Sequence, residues 1–321
     1  MKEAFDRLEK SATVMIELFP FLLYRLAVYG AVGLAILTYW ALVLGLIWIG
    51  SAIAGVLGVV ILLVALGVNW GLLALVRNYL LYVVNAGYIA VLTQVVAFGS
   101  LPAGVSQTKF AKDAVAGRFK EVSVLAAVDE LVKGVVRAFN ATLEGIASIL
   151  PVPGLDQVVA IVNAVVRVAA TNIDEVVLSL AFLRKEQNIW EVARDGVLLY
   201  AQNWKTVLTM AAALVVVEWA LVVVCALVLL TLLGLPTWAL FPPSWPLVKT
   251  MGLIVPLVLT YVIRLALIHP LVVTALLLTF HQCIKGQKID PSWDAKLTEV
   301  SDRFRTLKER ALGGGPAVSG A

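Results

Sequence analysis

From Leu26 to Val76 the chain carries no charged residue. A helix needs about 20 apolar residues to cross the hydrocarbon core of a bilayer. The run is long enough for two crossings, roughly Ala27 to Ile49 and Ala52 to Leu75, with Ile49-Gly50-Ser51 as the natural turn. Two more apolar stretches, Thr206 to Leu233 and Thr250 to Phe280, are each long enough to span. Composition agrees: 61% of residues are hydrophobic and 14% charged, against about 25% charged in a soluble domain. The expected fold is all-α and polytopic, with four transmembrane helices. The first residues mix Lys2, Arg7 and Lys10 with Glu3, Asp6, Glu9 and Glu17, which does not read as a cleavable signal.

One segment disputes the count. Tyr79 to Ser100 is uncharged and long enough for a fifth span, yet Asn78, Tyr82, Asn85, Tyr88 and Thr93 recur at helical spacing and mark one polar face. It reads as a helix lying in the interface or as a span whose stripe faces the protein interior. The chain then divides into a cytoplasmic tail (1–25), a transmembrane hairpin (26–76), this interfacial or fifth helix (77–100), an amphipathic cytoplasmic-side region (101–204), a second hairpin (205–280), and a tail helix with a disordered end (281–321).

Basic residues orient the spans. With both termini and the middle region on the cytoplasmic side, all of the 25 Lys and Arg residues except Lys249 and Arg264 lie inside. Anionic lipid headgroups are the partner such basic flanks suit. Trp70, Tyr200 and Trp204 are expected at the inner interface, and Trp48, Trp238 and Trp245 at the outer one.

In the middle region, Ser123 to Leu150 places Asp129, Lys133, Arg137, Asn140, Glu144 and Ser148 on one polar face; Asp156 to Leu183 has a narrower stripe through Asn163, Arg167, Thr171, Asp174, Glu175 and Ser179. The break at Pro151-Val152-Pro153-Gly154 makes the pair an αα-hairpin. Pro291 to Arg310 reads as an amphipathic docking helix with Trp293, Leu297, Val300, Phe304 and Leu307 on one stripe.

Glu218 and Arg264 are the charges that the membrane makes expensive. Each lies near the middle of its span, at a cost of at least ~2.5–3.5 kcal/mol if ionised there without compensation. In an antiparallel hairpin they fall at similar depth and can meet. Such a pair either fixes helix register or lines a substrate or proton route. His269 and Pro270 follow Arg264, and Pro256 precedes it. Proline bends a helix and releases a carbonyl, so Pro256 and Pro270 are candidate hinges, and Glu218, Arg264 and His269 are pathway candidates. Gly67 and Gly71 have the small-xxx-small spacing of close helix packing.

Other chemistry is missing from the pattern. Cys225 and Cys283 imply no disulfide framework, and His281-Gln282-Cys283 offers two metal ligands without a third. No nucleotide loop, nucleophile elbow or nucleic-acid module is present, so no enzyme activity, cofactor or nucleic-acid partner is expected.

The order of features from Arg77 onward resembles the C-terminal half of the choline transporter-like family. The strings that carry the resemblance are Val83-Val84-Asn85-Ala86-Gly87-Tyr88-Ile89-Ala90, the linking amphipathic region, Ala193-Arg194-Asp195-Gly196 with Asn203, and two closing spans with a tail. The chain lacks that family's many cysteines, its large external loop and its earlier spans. The resemblance implies transport of choline or a similar small organic cation, and it carries no binding residue across. Two functions follow from the sequence: a transporter or channel-like bundle for an organic cation or lipid-related molecule, or a non-catalytic membrane scaffold. A homo-oligomer fits either.

Overall fold

The computed structural model describes residues 2–118, 127–128, 130–135, 138 and 173–312. Every described element is helical. In chain order these are α1 (Lys2–Glu17), α2 (Phe19–Ile53), α3 (Gly55–Leu75), a π-helical turn π1 (Val76–Leu81), α4 (Tyr82–Phe98) and α5 (Gln107–Arg118). Then come α6 (Ile173–Leu183), α7 (Ile189–Gln202), α8 (Trp204–Leu229), π2 (Leu230–Gly234), α9 (Leu235–Leu240), α10 (Pro246–Ile263), π3 (Arg264–Ile268), α11 (His269–Ile284), α12 (Pro291–Val300) and α13 (Asp302–Leu312). Most of the expected hairpin, including Pro151 to Gly154, lies outside the described residues, as does the end after Leu312.

Four helical rods are long and apolar enough to cross a membrane: Phe19–Ile53, Gly55–Phe98, Trp204–Leu240 and Val248–Ile284. At 35 to 44 residues they measure about 50–65 Å at 1.5 Å per residue, well beyond a ~30 Å hydrocarbon core. Residues 79–98 continue the second rod through π1 without a break, and of their polar stripe Tyr88 and Thr93 are buried, with the Tyr88 hydroxyl 2.8 Å from Thr274 Oγ1.

The chain forms two compact units. One comprises residues 20–85 and 219–270. Within it α2 and α3 form a hairpin whose turn is Ala54, in extended conformation, rather than Gly50. Gly50 instead lies inside α2, where a Cβ would come 2.6 Å from Ile61 Cδ1. The terminal methyl of Ile61 would have to shift to admit a side chain there. The Tyr39 hydroxyl donates to the Ala65 carbonyl at 2.7 Å and ties the same two helices. Large apolar side chains such as Leu34, Ile53, Leu63, Leu227 and Leu232 point outward. Trp48 and Trp70 are 76% and 80% exposed. Lys249, in the first turn of α10, rests 5.0 Å over the Trp238 ring.

The other unit comprises residues 1–19, 86–218 and 271–321. Here the apolar side chains are inside. Ile89, Leu92, Leu180, Leu198, Leu277 and Phe280 are buried. Tyr200, expected in an interfacial belt, is 1% exposed in the last turn of α7 and belongs to this core. Glu175 and Ser179, from the expected polar stripe of the second hairpin helix, are buried too, and Ser179 Oγ lies 3.0 Å from His281 Nε2.

The tail is two helices, not one. Ser301 is extended and caps α13, its hydroxyl accepting the Phe304 N–H at 3.2 Å. The break re-aims the stripe so that Leu297, Phe304 and Leu307 are all buried while Val300 is exposed. Arg194 and Lys308 both hydrogen-bond the Asp294 carboxylate, and Arg310 covers Trp190 at 4.8 Å. Burial pushes that carboxyl up, but the hydrogen bonds from Lys308 and Arg194, with their charges, outweigh it and hold Asp294 below the ordinary carboxylate range.

Candidate functional site

The unit of residues 20–85 and 219–270 carries a polar centre. On α2 the residues Phe21, Arg25, Tyr29 and Gly33 recur at i, i+4 and all are buried, so they form the inward stripe of that helix. Gly33 allows close approach: a Cβ would meet Val262 Cγ2 at 2.7 Å. Arg25 is therefore carried inside, at 1% exposure.

The sequence of the last rod explains what Arg25 does there. In π3 the His269 N–H reaches back five residues to the Arg264 carbonyl. In the same register the next donor would serve Leu265, but the next residue is Pro270, which has no N–H. Arg25 supplies the missing donor. Its Nη2 donates to the Leu265 carbonyl at 3.0 Å and its Nη1 to Asn85 Oδ1 at 2.9 Å. The guanidinium also lies 5.3 Å from the centre of the Tyr29 ring. Tyr29 in turn packs with Val84, Val262 and Ala266 as one apolar cluster. A guanidinium in an apolar site needs such hydrogen-bond acceptors.

Arg264 begins π3 and is half-buried. Its guanidinium sits over the Trp219 ring, 5.4 Å from the centroid. Trp219 follows Glu218 directly in α8. Glu218 is 2% exposed and is assigned to the other unit. The candidate pathway residues are thus divided: Arg264 and His269 belong to one unit, Glu218 to the other. The two candidate hinges behave differently. Helix α10 runs through Pro256, whose carbonyl accepts the Thr260 hydroxyl at 2.8 Å. Pro270 follows π3 directly after His269, where the hydrogen-bond register changes.

At Gly67 and Gly71 no described atom lies within 4 Å of where a Cβ would stand, whereas at Gly33 and Gly252 a Cβ would run into Val262 and Thr237.

Arg25 and Trp219 are the functional candidates that sequence reading missed. Arg25 looks like one more basic flank of a span. The usable signal was Pro20, a favoured first-turn residue, which starts the helix early enough to put Arg25 on the Phe21–Tyr29–Gly33 stripe. In the other unit, a cavity of about 10 Å³ lined by Thr93, Gln94, Phe110 and Lys185 has room for one water molecule and no larger solute. Among the described residues no three His, Cys, Asp or Glu side chains come together to hold a metal ion. Compared with protein-family models, curated proteins and solved structures, the chain matches none.

Proposed function

We propose that the protein is an integral membrane transporter for a small organic cation or lipid-related molecule, with the face of Trp219 and the carboxylate of Glu218 as its recognition elements. The observation that carries this reading is Arg264 over Trp219, directly after a buried acid in a membrane-length helix. An aromatic face that accepts a guanidinium accepts a quaternary ammonium by the same quadrupole attraction. An ionisable group within a span is a functional-site candidate by default. Glu218 and Arg264 each lie near the middle of a membrane-length rod, His269 follows Arg264 in the same rod, and Pro270 is the bending point of this reading. The resemblance to choline transporter-like proteins points to the same substrate class. Both termini are cytoplasmic, the basic flanks lie against anionic headgroups, and no catalytic step or cofactor is involved.

Uptake of radiolabelled choline and tetramethylammonium into proteoliposomes tests the reading. Glu218→Gln abolishes uptake while the protein still inserts and purifies as wild type. Unchanged uptake in that variant, or none by the wild type, overturns it. One observation favours a scaffold as the second reading: in three of the four rods only 6 to 11% of the most apolar window is buried. Such exposed faces suit assembly with lipid or with further copies. In that case Glu218→Gln changes oligomer size rather than uptake.

A further inference from the structure

We infer that Arg25 is a positioning residue that latches π3 in its wide register and thereby sets where Arg264 stands. The Leu265 carbonyl has its backbone donor removed by Pro270 and takes the Arg25 Nη2 at 3.0 Å instead. Asn85 fixes the other end of the same guanidinium at 2.9 Å, and the Tyr29 ring lies 5.3 Å from it. The π turn contains one residue more than an α turn of the same span. Each residue turns a helix by about 100°. When Arg25 lets go, the turn has no remaining donor for that carbonyl in the wide register and closes toward the α register. Arg264 then rotates away from the Trp219 ring, which uncovers the aromatic face. Arg25 is thus the control element of the site, through the helix and without touching the cation itself. The consequence for transport rests on the reading of Trp219 as a substrate platform; the latch itself does not.

A double-mutant cycle on the full chain in nanodiscs tests the latch. Pro270→Ala restores a backbone N–H that can serve Leu265 in the π register, so it should make Arg25 dispensable there. Arg25→Gln alone is expected to lower the melting temperature, and in the Pro270→Ala background that loss should shrink at least twofold. If Arg25→Gln alone does not fold, recovery of folded protein in the double variant gives the same answer. Additive losses, or no recovery, overturn the proposal.

A second readout follows register directly. With Cys225 and Cys283 replaced by Ser, a cysteine pair at Gly33 and Val262 reports how α10 faces α2, since these positions are in contact. A pair at Val84 and Ala266 reports π3. The ratio of the two oxidative cross-linking rates should change at least tenfold in Arg25→Gln, and Arg25→Lys, which keeps a charged donor nitrogen, should restore most of it. An unchanged ratio overturns the latch. Because neither readout uses substrate, failure of uptake would not be mistaken for failure of the latch.

Discussion

The two units of this chain obey opposite rules of inside and outside. In the unit of residues 1–19, 86–218 and 271–321, Leu198, Phe280, Leu297 and Phe304 are buried and charges such as Lys109, Lys112 and Glu191 are exposed. In the unit of residues 20–85 and 219–270, Leu34, Leu63, Leu227 and Trp70 are exposed while Arg25 is buried. The first pattern is that of a core packed inside protein. The second is that of a fold whose surroundings are apolar, where backbone and side-chain polar groups must be satisfied internally. One covalent chain therefore reads its environment through the sign of its surface.

That contrast can be attacked from either side. The largest effect is expected where the packed core is cut: Phe280→Ala should destabilise the protein by about 3–5 kcal/mol, measured by denaturant unfolding, whereas Leu63→Ala should cost little because Leu63 faces outward. Equal losses would erase the distinction between the units. Next is Leu63→Lys, expected to cost about 2.5–3.5 kcal/mol in membrane insertion assays. Glu191→Lys, exposed on α7, should stay within about 0.5 kcal/mol. Free tolerance of Lys at 63 would mean that this face is not lipid-exposed.

A finer test separates glycines that look alike in sequence. Gly33→Leu should cost about 1–3 kcal/mol through overpacking against Val262, while Gly67→Leu, with nothing near it, should be nearly neutral to monomer stability. The smallest effect concerns the docked tail. Asp294 titrates below its ordinary value because of Lys308 and Arg194. A carboxyl depressed in the folded state adds stability above its unfolded pKa, about 3.9, and that stability is lost as pH falls through the lower folded value. Tail protection in hydrogen exchange should hold at pH 5 and fall only below about pH 4; loss already at pH 6 would mean the ion pairs do not hold the tail.

The sequence made the rods legible because uncharged runs of this length have few other uses. It also placed the apolar stripe of the tail, Leu297, Phe304 and Leu307, although Ser301 breaks the helix and the capping hydroxyl was readable only as one serine among several. Arg25 was hidden by its position: a cation near the end of an apolar run reads as a flank until the helix start at Phe19 is known. The π turns have no local composition of their own. Only Pro270, whose missing N–H falls where π3 needs one, ties that turn to a residue. Tyr200 misled because an aromatic near a span suits an interface and a protein core equally well, and only its neighbours on α7 decide between them. Hairpin depth gives Glu218 and Arg264 similar heights, and height does not fix facing direction. Trp219, beside the acid, has no charge to mark it within the span, although it is the residue that Arg264 covers.

The recognition claim is most directly tested by equilibrium binding of radiolabelled choline to the full-length protein in nanodiscs, with tetramethylammonium as competitor. The account predicts saturable, competable binding that weakens at least tenfold in both Trp219→Leu and Glu218→Gln while the fold is retained. Binding of equal affinity in the wild type and both variants, or no competable binding at all, would contradict it.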